Sequence, residues 1–382
     1  MFGFIACARV ARMAVLALAM CVGLPVTASI DSPSRPDKLV IGQSAPLSGK
    51  NAQFGKDIRR GALAYFNTVN RAGGINGRAI ELVTLDDQNE AAQSGKNAKS
   101  LVDDPRILAL FGFASATLAS PALPLIHKEG MAMIAPMTGA DTIHRQTANV
   151  FTIRASYRDE LAVLVDLWKR YLETVVVVHY DDAVGKQNFT TVVEMFKSSG
   201  TASTTVTSIP IKRNQAIDLN TVERIGTLSP QLILFTTLAE PIRELVMEIK
   251  KSQKFYYMAS LSFAGNSVLH EALGDAGIGL HMTAVVPQPA RYSPLVKEYA
   301  AAMVREGFGQ NYTSLESFIA AKTLVEGLRR AGAKPTRQSL VRGMENIGRL
   351  DLGGYVVNFS PTAHHGSRFV DLVVIGANGQ LK

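Results

Sequence analysis

From Leu39 onward, short β-rich runs alternate with stretches whose apolar residues recur at helical spacing. Leu39–Ala45 predicts a strand. Ile58, Ala62, Phe66 and Val69 then fall on one helical face, and Gly73-Gly74-Ile75-Asn76-Gly77 ends that helix in a turn. Strands follow at Ile80–Leu85, Ile107–Phe111 and Met131–Ala135, the last closed by Pro136, with helices over Ala91–Val102 and beyond Thr117. This alternation is that of a doubly wound α/β half, a parallel sheet with helices on both faces.

The series restarts after Arg154. A helix is expected around Glu160–Tyr171, then the continuous apolar strand Val175–His179, a helix to Ser199 and the Thr-rich strand Ala202–Ile209. Further strands fall at Leu232–Thr236, Tyr256–Met258 and Leu280–Val285. Past Pro287 the pattern becomes helix-rich, over Leu295–Glu306, Leu315–Arg330 and Arg337–Ile347, and is no longer a βα series. Two late strands, Tyr355–Phe359 and Phe369–Ile375, flank a polar stretch, His364-His365-Gly366, expected in a surface loop.

The first residues stand apart from this pattern. Arg9 and Arg12 precede an uncharged run, Met13–Leu24, too short for a stable membrane span, and Val26-Thr27-Ala28 offers small residues for cleavage. Residues 1–28 therefore read as a secretory signal and 29–38 as a flexible mature terminus. Both cysteines, Cys7 and Cys21, lie inside the signal, so the mature chain would carry neither a disulfide nor a reactive thiolate. Leu18-Ala19-Met20-Cys21 also has the outline of a lipoprotein acceptor, although Met20 is bulky where such signals carry a small residue; both readings of Cys21 stay open. The formal charge of +8 falls to +6 without Arg9 and Arg12, and it is scattered in single residues or pairs such as Arg59-Arg60. Solvated helix faces account for that distribution, and a nucleic-acid partner does not.

Enzyme motifs are missing. The sequence has no G-x-S-x-G elbow, P-loop, H-E-x-x-H or C-x-x-C, and Gly277-Ile278-Gly279 lacks the third glycine of a dinucleotide fingerprint. No cofactor is expected. Adjacent His364 and His365 on an extended loop would point to opposite sides, which disfavours a metal site. Asp86-Asp87 and Asp181-Asp182 each follow a strand, where α/β ligands gather. They suit acid–base work, but better suit capping of the following helices or hydrogen bonds that close the lobes. Trp168 reads as core.

The stretch Ile41-Gly-Gln-Ser-Ala-Pro-Leu-Ser-Gly49, with Gln53-Phe-Gly55, Asn70-Arg-Ala-Gly-Gly-Ile-Asn-Gly77 and Asp86-Asp87, closely resembles the leucine/isoleucine/valine-binding family of periplasmic binding proteins. The likeness continues through Phe111-Gly-Phe-Ala-Ser-Ala-Thr117, Ile134-Ala-Pro-Met-Thr-Gly139, Val178-His-Tyr-Asp-Asp182 and Phe235-Thr-Thr-Leu238, and is loosest after residue 290. It implies the type I periplasmic binding protein fold: two doubly wound parallel-sheet lobes joined by a three-strand hinge, with crossings near Arg154–Ser156, Val285–Gln288 and Phe359–Pro361. The lobes would comprise residues 39–155 plus 287–359 and 156–286 plus 360–382. The implied function is capture of a small amino-acid-like carboxylate and its delivery to the permease of an ABC transporter, by a monomer. A ligand-sensing partner of a membrane receptor, and a binder of non-amino organic acids, are the alternatives.

Carried over by position, the first lobe would contribute Phe54 as an apolar wall, Ser115, Ala116 and Thr117 as a carboxylate cradle, and Met137, Thr138 and Gly139 as further contacts. Ser115 and Thr117 also fit simple capping, and a cap residue can do both. The second lobe would contribute Tyr180, Asp182, Val184, Leu238, Ser260 and Leu261. It departs from the family pattern at one point. Where amino-acid binders carry an acid for the ligand ammonium, after the strand at Tyr256–Met258, this chain has Ala259-Ser-Leu-Ser-Phe263; Val184 and Leu238 stand at positions often aromatic. Tyr180, Asp181, Asp182 and Glu240 remain as substitutes.

Overall fold

The computed structural model describes residues 38–145, 148–198, 204–213, 215–377 and 381–382. The expected signal, both cysteines and the 29–37 stretch lie outside the described residues.

The first half opens with β1 (Leu39–Ala45), α1 (Ala52–Arg71), β2 (Ile80–Asp86), α2 (Ala91–Asp103) and β3 (Ile107–Phe111). It continues with the single turn α3 (Ala116–Ala119), α4 (Leu123–Glu129), β4 (Ala132–Ile134), α5 (Asp141–His144) and β5 (Val150–Phe151). The strands form one parallel sheet in the order β2-β1-β3-β4-β5. Its strands β3 and β4 are apolar throughout because helices cover both faces.

The second half repeats the plan. After α6 (Tyr157–Trp168) come β6 (Thr174–Tyr180), α7 (Ala183–Ser198), β7 (Thr205–Ile211), α8 (Leu219–Leu228), β8 (Leu232–Thr236), α9 (Ala239–Lys251), β9 (Tyr257–Ser260), α10 (Asn266–Leu273) and β10 (Leu280–Ala284). Strand order is β7-β6-β8-β9-β10, all parallel, with β13 (Asp371–Val374) added antiparallel to β10. In both halves the second strand lies outside the first and the third lies inside it. Each sheet therefore has a switch point, between β1 and β3 and between β6 and β8, where ligands of open α/β sheets bind.

Between β10 and β13 the chain returns to the first sheet. It forms α11 (Pro294–Glu306), α12 (Tyr312–Arg330), α13 (Arg337–Glu345) and the hairpin β11 (Gly348–Asp351) and β12 (Val356–Phe359). Tyr299, Leu315 and Phe318 of these helices share a core with Phe66 and Phe111. Contact of α12 with α1 is close: a Cβ on Gly61 would stand 2.0 Å from the Ser314 carbonyl oxygen, and Ser317 Oγ donates to the Ile58 carbonyl at 2.5 Å. Among the described residues no helix is long and apolar enough to cross a membrane.

Most expected elements agree with those observed within a few residues. The Thr-rich strand is observed over Thr205–Ile211, its expected start at Ala202 and Ser203 lying outside the described residues; the strand expected at Tyr256–Met258 runs on to Ser260. The helices α8, α9 and α10 were not anticipated, although Ile242, Leu245, Val246 and Ile249 of α9 have helical spacing and are all buried. The expectation of a surface loop at His364-His365 is corrected. His364 is 2% exposed and stacks on Phe151 at 4.1 Å, while His365 bonds Thr152 at 3.1 Å and stacks on His144 at 4.9 Å. The segment pairs with Thr152 beside the first connection, so it is covered from both sides. The two rings stack on different residues, Phe151 and His144. Trp168 is buried, as expected.

Candidate functional site

Every candidate site residue lies at or just beyond the C-terminal edge of a sheet. On the first lobe, Phe54 in the first turn of α1 packs against a small cluster of Ile58, Ala114, Leu118 and Met137. Gly55 lets that turn sit on the preceding loop, since a Cβ there would lie 1.9 Å from the Pro46 carbonyl oxygen. The loop is held by Asp86, which accepts from the Leu47 amide at 2.8 Å and from Ser48 Oγ at 2.6 Å. Buried Asp87 accepts from Ser44 Oγ at 2.9 Å. These acids are fasteners of the β1 edge. The hydrogen bonds hold Asp86 below the usual carboxylate range against a burial effect of opposite sign, whereas burial wins at Asp87 and raises it.

Ser115 caps α3 by accepting from the Leu118 amide at 3.3 Å. The first-turn amides of Ala116 and Thr117 have no intrahelical acceptor and are left as donors. Met137 and Thr138 differ: their amides already donate to the Phe113 and Pro136 carbonyls, each within 2.8 Å, and Thr138 Oγ1 bonds Tyr157 Oη and the Ala140 amide. Gly139 is fixed by contact, for a Cβ there would meet Tyr157 at 2.6 Å.

The second lobe presents a different edge. Tyr180 is buried, and its hydroxyl accepts from the Leu238 amide at 3.2 Å. The Arg213 guanidinium lies 3.9 Å over the Tyr180 ring and donates to Asp182 at 2.7 Å. Asp182 also accepts from the Gly185 amide at 2.8 Å, which caps α7. Thr236, Thr237 and Ser260 are each at most 3% exposed, and their hydroxyls have no hydrogen-bond partner in the structure. Leu261 is buried beside them in sequence.

The two edges meet. Tyr180 and Leu238 line one end of the junction with Lys50 and Asn51 of the first lobe, and Val184 lines another end with Ala140, Asp141 and Thr142. Elsewhere, a methyl on Gly265 would come within 3.8 Å of Phe54, and Tyr157 stacks edgewise on Phe263 at 5.7 Å. Val184 and Leu238 thus line separate hollows along the junction.

Sequence reasoning missed a charged cluster at the base. Arg154, 2% exposed on the first connection, pairs with Glu160 of α6 at 3.3 Å and Glu316 of α12 at 3.5 Å, and donates to Ser262 Oγ. Glu160 accepts in addition from the Ser262 amide at 2.8 Å and Thr283 Oγ1 at 2.5 Å. One cation therefore ties the returning helix to the second sheet. Burial opposes the Arg154 charge, but the two carboxylates outweigh it and raise its pKa; Glu316 is raised by burial despite Arg154. An arginine amid Phe151, Thr152, Ile153 and Ala155 was the available signal.

Comparison with known proteins agrees with this architecture. The family model described as periplasmic binding protein matches residues 38–380. The Leu/Ile/Val-binding protein homolog 3 of Brucella melitensis is 31% identical over 151 residues, 39% of this chain; the match spans only 41% of that relative's length. The leucine-, isoleucine-, valine-, threonine-, and alanine-binding protein of Pseudomonas aeruginosa is 23% identical over 78% of this chain and 79% of its own. A possible leucine/isoleucine/valine-binding protein from Rhodopirellula baltica superposes with a TM-score of 0.85 at 26% identity, over 92% of this chain and 98% of that one. Two sheets of one topology, edges that face each other and a match over nearly all the described residues lead to one conclusion: the chain belongs to the periplasmic binding protein family.

Proposed function

We propose that this chain is an extracytoplasmic solute-binding protein that captures a small organic carboxylate between its lobes and delivers it to an ABC-type permease. Phe54, Ser115, Ala116, Thr117, Met137, Thr138 and Gly139 form the first wall, and Tyr180, Asp182, Val184, Leu238, Ser260 and Leu261 the second. The observation that carries this reading is the pair of switch-point edges brought face to face, one of them carrying the first-turn amides of Ala116 and Thr117 beside the Ser115 cap. Amides at a helix start favour an anion without an arginine. Residues 39–155 plus 287–359 and 156–286 plus 360–382 are the two bodies, and they open and close about the three connections. The N-terminal signal supplies export.

Calorimetric titration with amino acids and small organic acids tests the reading. Saturable binding of at least one carboxylate is expected, and silence across the whole set rejects it. Ser115→Ala should weaken that binding while leaving the far-ultraviolet spectrum unchanged.

A further inference from the structure

Four side chains of the second lobe were available to receive a ligand ammonium in place of the absent acid, and each is engaged. Asp181 pairs with Lys186 at 2.8 Å; Asp182 is held by Arg213 at 2.7 Å and by the Gly185 amide. Glu240 pairs with Arg243 at 2.8 Å, and that bond is the main reason its pKa lies below the usual value. The Tyr180 ring, whose face would attract a cation, already carries Arg213 at 3.9 Å. Deeper in, Glu160 and Glu316 share the single charge of Arg154.

Glu244, which lines the same hollow as Tyr180 and Leu238, accepts from the Ile217 amide at 2.9 Å, and the rest of this edge is uncharged. Leu238, Leu261 and Phe263 are apolar, and the three buried hydroxyls of Thr236, Thr237 and Ser260 lack partners. Hydroxyls suit a neutral oxygen of a ligand. An ammonium buried among them would lose its hydration without gaining a counter-charge.

We propose that the solute selected here is a carboxylate without an α-amino group, its remaining part apolar or bearing only a hydroxyl or carbonyl oxygen. The inference rests on reading the junction as a carboxylate-binding cleft. The second lobe then selects by leaving no acid free, since an ammonium would have to displace Arg213 or Arg243, or the Ile217 amide at Glu244, from its own acid.

The test is calorimetry on the intact chain with matched probes: leucine and phenylalanine against their α-hydroxy, α-keto and deamino analogues. We expect at least one amine-free member to bind about tenfold or more tighter than its amino acid. An amino acid that binds as tightly as its analogues, or more tightly, overturns the inference while the functional reading stands. Silence from every probe and every other small carboxylate overturns both. Arg213→Gln supplies a second arm, because it uncovers Asp182 and Tyr180 at a partly exposed position. Its preference should move toward the amino acid by about tenfold, with thermal unfolding showing that it is folded. An unchanged preference in that folded variant also overturns the inference.

Discussion

The two edges of the cleft have the same strand order and opposite chemistry. In the first lobe, acids fasten loops through amides and hydroxyls, and backbone donors at Ala116 and Thr117 are left over. In the second, acids and bases are abundant but pair with one another, and hydroxyls are left over. A duplicated topology therefore does not imply duplicated recognition. What a cleft recognises depends on which groups its own structure leaves without partners, and counting charges along the chain does not show that.

The strongest way to break the comparison is to cut the group that joins the edges. Arg154→Met leaves Glu160 and Glu316 buried without a counter-charge and should cost about 3–5 kcal/mol in urea unfolding. Arg243→Met removes a partly exposed pair on the second lobe alone and should cost less than about 1 kcal/mol. Equal losses would mean that Arg154 is not the tie.

Acid provides the next largest effect. His144 is pushed down to about 4, first by burial and then by the nearby charges of His365 and Arg154. In the unfolded chain it titrates near 6.5, so between those values the unfolded state holds the extra proton. Its contribution is therefore complete above about pH 6.5 and is lost as the pH falls toward 4, by up to roughly 3 kcal/mol. His364 and His365 are lowered in the same direction, again first by burial. Unfolding measured across this range should steepen on the acid side, and His144→Gln should flatten it.

Both edges use one steric device, which allows a direct comparison. Gly55 sits against the Pro46 carbonyl and Gly185 against the Tyr180 carbonyl, with a Cβ at 1.9 and 2.0 Å respectively. Either glycine replaced by Ala should cost roughly 1–3 kcal/mol and weaken binding, because each forces a cleft loop off its helix. Ser115→Ala should cost about 1 kcal/mol of stability for a lost cap, with a several-fold loss of affinity.

The fold was legible because buried parallel strands announce themselves as continuous apolar runs, such as Val175–His179, and because glycines mark the turns. The site was legible only as a set of edge positions. Its decisive features are pairings between segments far apart in sequence: Arg213 over Tyr180, and Glu316 reaching Arg154 from a returning helix. His364 misled for the same reason, since it is buried by Phe151 of another segment. Residue type suggested a polar loop, and tertiary packing overrode it.

The central claim is that the first edge holds an anion and the second rejects a cation. One calorimetric experiment addresses both sides: the tightest carboxylate found, compared with its carboxamide and with its α-amino derivative. The account predicts that each change weakens binding by about tenfold or more. A carboxamide that binds as well as the acid would contradict the first half, and an α-amino derivative that binds as well would contradict the second.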